Sequence, residues 1–297
     1  MKLTVFHRTH YAYAAAVQDS FNEARLQPCD HARQRRHSFL LKVLPATRLT
    51  HYQDLYGNYV HLFDVSRPHA ELTVEATSTV TTSEAPNLPE DAALAPFATL
   101  ADRLPLDRCY DYLQPSQFVN DHVEAWRLAL DYTAGTTDAW QAALLIMRQL
   151  HRDFAYEPAV THVHTTVKES LRLRKGVCQD FAHVMTALCR ALKIPARYVS
   201  GYLYNGPAEH LKGAQASHAW VEVFLPGHGW RGLDPTNNQQ VDGRYVIIGT
   251  GRDYGDVPPL KGTYRGTQER KMTVEVLVTQ LDAQASVENA AAVTPAS

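Results

Sequence analysis

The hydrophobic repeat changes twice along this chain, and that limits its possible folds more than any other feature. Residues 1 to about 82 alternate with a period of two, in Leu3 and Val5 through Tyr13, Phe39-Leu41-Val43, Tyr59-His61-Phe63-Val65 and Leu72-Val74 to Val80. Successive side chains of a strand point to opposite faces, so this alternation of β-branched and aromatic residues predicts half-buried strands. Gly57-Asn58 marks a turn, and Pro28, Pro45 and Pro68 punctuate the rest. With no convincing helix among them, the strands predict an antiparallel β-sandwich over residues 1–82. The basic stretch from His31 to His37 falls between strands and reads as a solvated loop, with a partner-binding patch as the alternative.

Pro86, Pro89, Pro96, Pro105 and Pro115 then mark residues 83–116 as a linker with short helical turns. Helical periodicity follows. Asp138 caps a run in which Ala142, Leu145, Ile146, Gln149 and Leu150 recur at three- and four-residue steps. A second amphipathic helix starts near Val177 or Cys178 and ends before Ile194-Pro195. Strands return at Ala196 to Tyr204, Ser217 to Leu225, Trp230 to Leu233 and Tyr245 to Ile248. Met272 to Val278 alternates again and reads as a last strand returning to a core of residues 117–282. The Ala-rich residues 283–297 read as a disordered tail. No internal repeat is present. Helices first and antiparallel strands after make the second unit α+β.

Bulk properties exclude some functions. A length of 297 residues is about twice a typical domain, consistent with two units. A formal charge of -2 supplies no basic field, which argues against nucleic acid as a partner. No apolar run approaches the roughly 20 residues that span a bilayer, so no membrane association is expected. Met1 to Arg8 is broken by polar residues and does not read as a secretory leader, so the expectation is a cytoplasmic protein. Cys29, Cys109, Cys178 and Cys189 form neither CxxC pairs nor a disulfide framework, which fits a reducing compartment and free thiols.

One of those thiols stands in a chemically suggestive place. In Arg174-Lys175-Gly176-Val177-Cys178-Gln179-Asp180-Phe181, Gly176 permits a sharp entry into a helix anchored by Phe181, Met185, Leu188 and Leu192. Cys178 therefore falls in the first turn. There the unpaired N–H groups and the helix macrodipole stabilise a thiolate, the nucleophilic form of cysteine. Its own N–H could serve a developing oxyanion. The competing reading is a small buried hydrophobe, which describes Cys189 on the same helical face. Asp180 reads as a first-turn helix charge.

His218 and Trp220 lie on one face of a predicted strand, with Ala219, Val221 and Val223 on the other. Pro226-Gly227-His228-Gly229 turns the chain, and the return strand delivers Asp234 just before Pro235. A hairpin can thus bring Asp234 within hydrogen-bond range of His218, although one bulge would shift the register. Cys, His and Asp in this order can act as nucleophile, general base and orienting carboxylate, forming or breaking amide bonds through an acyl-enzyme. Trp220 could exclude water beside the imidazole. Taken singly, His218 also reads as a structural strand histidine and Asp234 as part of a strand-ending turn.

The stretches GVCQDFAHVMTALCRALKIPARYVSGYLY (176–204), ASHAWVEVFLPGHGWRGLDPTNN (216–238) and YVIIGTGRDYGDVPPLKGTY (245–264) resemble the transglutaminase-like superfamily. More closely, they resemble its bacterial cysteine-protease-like members with an added N-terminal β domain, and DLYGNYVHLFDVSRPHAEL (54–72) resembles that domain. The resemblance implies a papain-like core with helices packed on an antiparallel sheet. It also implies Cys178 as nucleophile, His218 as base and Asp234 as orienting acid. Classical members use an upstream Trp as second oxyanion donor. This chain has Phe154, Tyr156, His162 and His164 there, and Tyr156 is the candidate. Gln179, Trp220, Arg252 and Asp253 are further candidates for the oxyanion site or cleft. For Arg252, Asp253, Tyr254 and Asp256, tying down the Pro-rich loop is the competing role.

The resemblance thus implies a peptide or protein amide as substrate, with hydrolysis favoured over crosslinking. No EF-hand-type loop is present, and no cofactor is expected. Two other readings compete. The triad could persist in a peptide- or protein-binding module without turnover, or His162, His164, His183 and His218 could hold a metal.

Overall fold

Long alternating segments in the first eighty residues become strands β1 (Lys2–Ala24), β2 (Gln34–Leu44), β3 (Thr50–Gln53), β4 (Tyr59–Val65) and β5 (His69–Thr82) of the computed structural model. It describes residues 1–84, 87–158, 160–206, 211–213 and 216–281. β1 runs through two sheets: its first half pairs with β5, which pairs with β2, and its second half pairs with β4, which pairs with β3. All pairings are antiparallel, with an irregularity in the β1–β5 ladder between Ala12 and Val17. Tyr13, Val17, Phe63, Leu72 and Val74 fill the core between the sheets. This strand-rich region fits the expected β domain.

The Pro-rich stretch carries the short helices α1 (Phe97–Arg103) and α2 (Leu106–Cys109). After it come α3 (Val123–Tyr132), α4 (Ala139–Asp153), β6 (Ala155–Tyr156), α5 (Val167–Leu173), β7 (Lys175–Gly176) and α6 (Cys178–Ala191). Asp138 does cap α4, accepting from the N–H groups of Trp140 at 2.9 Å and Gln141 at 3.2 Å. The sequence reading passed over α3 and α5. The signal for α5 was Thr166 with Glu169, which form a capping box.

Five strands form the antiparallel core sheet. They are β8 (Ala196–Leu203), β9 (His218–Leu225), β10 (Gly229–Asp234), β11 (Gln239–Gln240) and β12 (Tyr245–Gly251), in the order β11-β10-β9-β8-β12. α6 lies between this sheet and α3, α4 and α5. Every residue from Cys178 to Arg190 is consequently buried, so the helix read as amphipathic is covered all round. Full burial of Phe181, Met185 and Leu188 contributes about 1.5–3 kcal/mol each, which fixes the helix start in space.

The chain ends with β13 (Leu260–Arg265) and β14 (Arg270–Gln280). Met272–Val278 is indeed strand, but both elements pair with β1 and neither joins the core sheet. The expected core of 117–282 is corrected accordingly: its last strands complete the N-terminal sheets. Alternation reports that one face is buried and carries no information about the pairing partner. Residues 282–297, which include the expected tail, lie outside the described residues.

Side-chain amides join the two units. Gln34 donates to the Ile247 carbonyl and accepts from the Ile247 N–H, both at 2.8 Å. Asn58 does the same for Thr250, at 2.9 and 2.8 Å. Each amide satisfies the backbone of edge strand β12 as another strand would. Beside them Leu3, Val5 and Val80 pack on Tyr202, Val246 and Ile248.

Candidate active site

Gly176, Val177 and Asp180 build the entry to α6. The Asp180 carboxylate accepts from the Val177 N–H at 2.8 Å and from the Thr161 hydroxyl at 2.6 Å. A Cβ at Gly176 would overlap that carboxylate, so glycine is required for the cap to close. Asp180 is therefore a first-turn residue, as expected. It holds the N-terminus and leaves Cys178 at the head of the helix with 8% of its surface exposed.

In the β9–β10 hairpin Leu233 pairs with Val221 and Gly232 with Glu222, so Asp234 stands diagonally from His218 on the same face. His218 Nε2 donates to Asp234 Oδ2 at 2.8 Å, and both residues are fully buried. The other ring nitrogen, Nδ1, has no hydrogen-bond partner among the described residues, and Cys178 is near enough to the ring to influence its proton affinity. Burial opposes a charge on the ring. The Asp234 carboxylate and the Cys178 sulfur outweigh it and raise the His218 pKa to about 10.

Asp234 is held by five donors. Besides His218, Oδ2 accepts from Tyr245 Oη at 2.7 Å and from Asn237 Nδ2 at 2.8 Å. Oδ1 accepts from the N–H groups of Thr236 at 2.9 Å and Asn237 at 3.2 Å. Burial pushes this carboxyl's pKa up, but His218 and these bonds bring it below its ordinary value. Sequence reasoning missed Asn237 and Tyr245. Asp234-Pro235-Thr236-Asn237 carried a visible turn signal, whereas nothing local marks Tyr245.

Asn237 also fixes the loop over the imidazole, accepting from the Lys212 N–H at 2.9 Å and donating to its carbonyl at 3.2 Å. Gly213 follows with a φ of +86°, where a Cβ would overlap His218 Nδ1. Gly213→Ala should therefore displace either the loop or the ring. Since a misplacement of about 1 Å can cost about 100-fold, we expect a fall of that size in kcat/KM with secondary structure retained by circular dichroism.

Trp220 is fully buried, its ring 6.1 Å from that of His218 and stacked at 29°. The Tyr156 hydroxyl is close enough to Cys178 and Asp234 for their charges to add to burial in raising its pKa to about 12. Gln179 lines the cavity at Cys178, and its Nε2 donates to the Val163 carbonyl at 3.1 Å. Arg252 and Asp253 do not line that cavity. Arg252 pairs with Asp256 at 2.9 Å. Asp253 accepts from the N–H groups of Phe118 at 2.7 Å and Gly255 at 2.8 Å. Both tie down the loop after β12.

The histidines do not gather. His183 Nε2 accepts from the Tyr254 N–H at 3.1 Å, and burial lowers its pKa to about 4. His218 is engaged by Asp234. Among the described residues, no three His, Cys, Asp or Glu side chains could share a metal ion.

The cavity at Cys178 measures about 250 Å³, and its far wall belongs to the β domain through His7, Thr9, Tyr11, Met272 and Val274. His7 Nε2 bonds the Thr9 hydroxyl at 2.9 Å and its Nδ1 the Tyr202 hydroxyl at 3.0 Å. Sequence reading assigned no part of the site to β1.

Comparison with known proteins gives a consistent family. Residues 127–235, which include Cys178, His218 and Asp234, match the model of the transglutaminase-like superfamily. Residues 3–81 match the bacterial transglutaminase-like N-terminal region. An uncharacterised protein of Mycobacterium leprae is 36% identical over 286 residues, covering 94% of this chain and 99% of its own length. A protein-glutamine gamma-glutamyltransferase of Pseudomonas aeruginosa is 37% identical over 100 residues, 32% of this chain and 15% of that protein. A crystal structure described as a "Putative Cysteine Protease" from Cytophaga hutchinsonii superposes with a TM-score of 0.75, at 22% identity, over 95% of this chain and 91% of that one. That likeness shows the shared fold. By these matches, the chain belongs to the transglutaminase-like superfamily, in a bacterial form with its own N-terminal β domain.

Proposed function

We propose that the protein is a cysteine-dependent amide hydrolase acting on peptide or protein amides through a thioester on Cys178. The observation that carries this reading is the buried 2.8 Å bond from His218 Nε2 to Asp234, with Nδ1 unpartnered among the described residues. His218 accepts the thiol proton as general base. The thiolate then attacks the amide carbonyl. The first-turn N–H of Cys178 supports the oxyanion, with the Tyr156 hydroxyl as second donor. The imidazolium gives its proton to the leaving amine as the C–N bond breaks. Neutral His218 next takes a proton from water, which opens the thioester and frees the acid. Asp234 holds the ring throughout, and its own donors hold Asp234.

Acylation is common to hydrolysis and amine transfer. Hydrolysis is the proposed outcome because the bacterial two-domain form resembles cysteine proteases. The test is intact-mass and peptide-level mass spectrometry after incubation with peptide-amide libraries, with and without a primary amine. A thioester on Cys178, lost in Cys178→Ala and yielding free acid even with amine present, supports the proposal. Amine adduct as the main product would reassign the protein as a transferase. No adduct in any mixture would favour a binding module, a reading encouraged by the low exposure of Cys178 and by Gly213 lying over His218.

A further inference from the structure

The paired strands β1 and β14 present one continuous face along the core. Their register sets Val5 opposite Val278, His7 opposite Val276, Thr9 opposite Val274, Tyr11 opposite Met272 and Tyr13 opposite Arg270. Along this face the chemistry changes in steps. At one end Leu3, Val5, Val276 and Val278 pack in the apolar junction with the core sheet. In the middle Thr9, Tyr11, Met272 and Val274 wall the cavity at Cys178. Beyond lies a second chamber of about 300 Å³, where Tyr13, Tyr264 and Arg270 meet Phe118. The two chambers share Tyr11, Val163, Tyr254 and Leu260 as lining residues. They therefore adjoin each other across these residues, and together their volumes fall in the range of small-ligand sites, roughly 300–1,000 Å³.

The far chamber is both aromatic and positive. The Arg270 guanidinium stands 5.7 Å from the Tyr11 ring centre and 5.5 Å from that of Tyr264, and it donates to the Tyr264 hydroxyl at 2.9 Å. Lys261 is also in the wall, and no Asp or Glu is among the described lining residues. Arg8, on the opposite face of β1, is instead paired with Glu75 and Glu275. Among the described residues Arg270 makes no such ion pair. Apart from its bond to Tyr264, the guanidinium side chain has no hydrogen-bond partner among the described residues, which leaves N–H groups for a carboxylate.

We propose that this chamber is a substrate subsite contributed by the β domain. It selects amides that carry an aromatic side chain beside the cleaved bond and a carboxylate one or two residues further on. The ring lies among Tyr11, Tyr13 and Phe118, and the carboxylate meets Arg270. The β domain is then a specificity wall of the enzyme, and the inference rests on the amide hydrolase reading above.

The test uses matched peptide amides with Phe beside the cleaved bond and Glu, Gln or Lys beyond it. For the wild-type protein kcat/KM should favour Glu over Gln by about 10-fold, the scale of a hydrogen-bonded charge. Arg270→Gln should collapse that ratio, and Arg270→Glu should invert it towards the Lys peptide, which loss of packing alone would not do. An absent wild-type preference, or one that survives in Arg270→Gln, overturns the inference. If the wild type cleaves none of the peptides, the hydrolase reading fails, and calorimetric titration of Cys178→Ala then decides the subsite separately. Binding of the Glu peptide about 10-fold more tightly than the Gln peptide would uphold it, and equal binding would overturn it.

Discussion

On the proposed mechanism, replacing Asp234 by Asn should lower kcat for amide cleavage by about 10⁴-fold, the scale expected when an imidazole loses the carboxylate that fixes its tautomer. The reason is written in the donors. His218, Tyr245 and Asn237 point at Oδ2, and two backbone N–H groups point at Oδ1. A carboxylate can accept from all five, but an amide presents one oxygen and one NH₂ group. Either orientation sets donor against donor in a fully buried place. Stability also falls, by about 3–5 kcal/mol, because the raised charge on His218 loses its buried partner.

The pH dependence of that loss has a definite sign. His218 has a folded pKa raised from 6.5 to about 10, so its contribution is fully present below about 6.5 and fades as pH rises through about 10. Asp234 has a folded pKa lowered from 3.8, so its contribution is present above 3.8 and fades as pH falls through the lowered value. The stability gap between wild type and Asp234→Asn is therefore widest between about pH 4 and 6.5, and it narrows towards pH 10. Urea melts of both proteins across that range measure it. A gap that widened from pH 7 to 10 would contradict the ion pair.

His218→Ala removes the proton acceptor itself. The expected loss in kcat is about 10⁶-fold, as found when the base of a nucleophile–base pair is deleted. Asp234 acts only through the ring, so adding Asp234→Asn to His218→Ala should slow the reaction little further. Multiplying losses in the double variant would show that Asp234 acts on the substrate by another route. Single-turnover acylation, read by mass spectrometry, separates the two outcomes.

Much of this was legible in the residues, for identifiable reasons. Half-buried strands announce themselves by alternation, and β4, β5, β8 and β9 lie close to where the period-two runs placed them. The proximity of His218 and Asp234 followed from a short hairpin, whose register allows the diagonal contact. Long-range partnership was not legible. Nothing in Met272–Val278 says that it pairs with β1, and nothing in His7, Thr9 and Tyr11 says that they face a thiol more than 160 residues away. Arg252 and Asp253 looked available for a cleft because their partners, Asp256 and the Phe118 N–H, are set by loop geometry. The period of α6 pointed to one buried face, while α3, α4 and α5 cover the other.

The most direct measurement of the central claim is site-resolved alkylation by iodoacetamide at pH 7. Burial raises the pKa of Cys29 and Cys109 to about 11 and that of Cys189 to about 12. Their thiolate fractions at pH 7 are thus about 10⁻⁴ or less. Cys29 is partly exposed and serves as the accessible control. A thiol sharing its proton with His218 should react on the order of 100-fold faster than Cys29 and lose that advantage in His218→Ala. Alkylation of Cys178 no faster than Cys29, or at a rate indifferent to His218, would contradict the account.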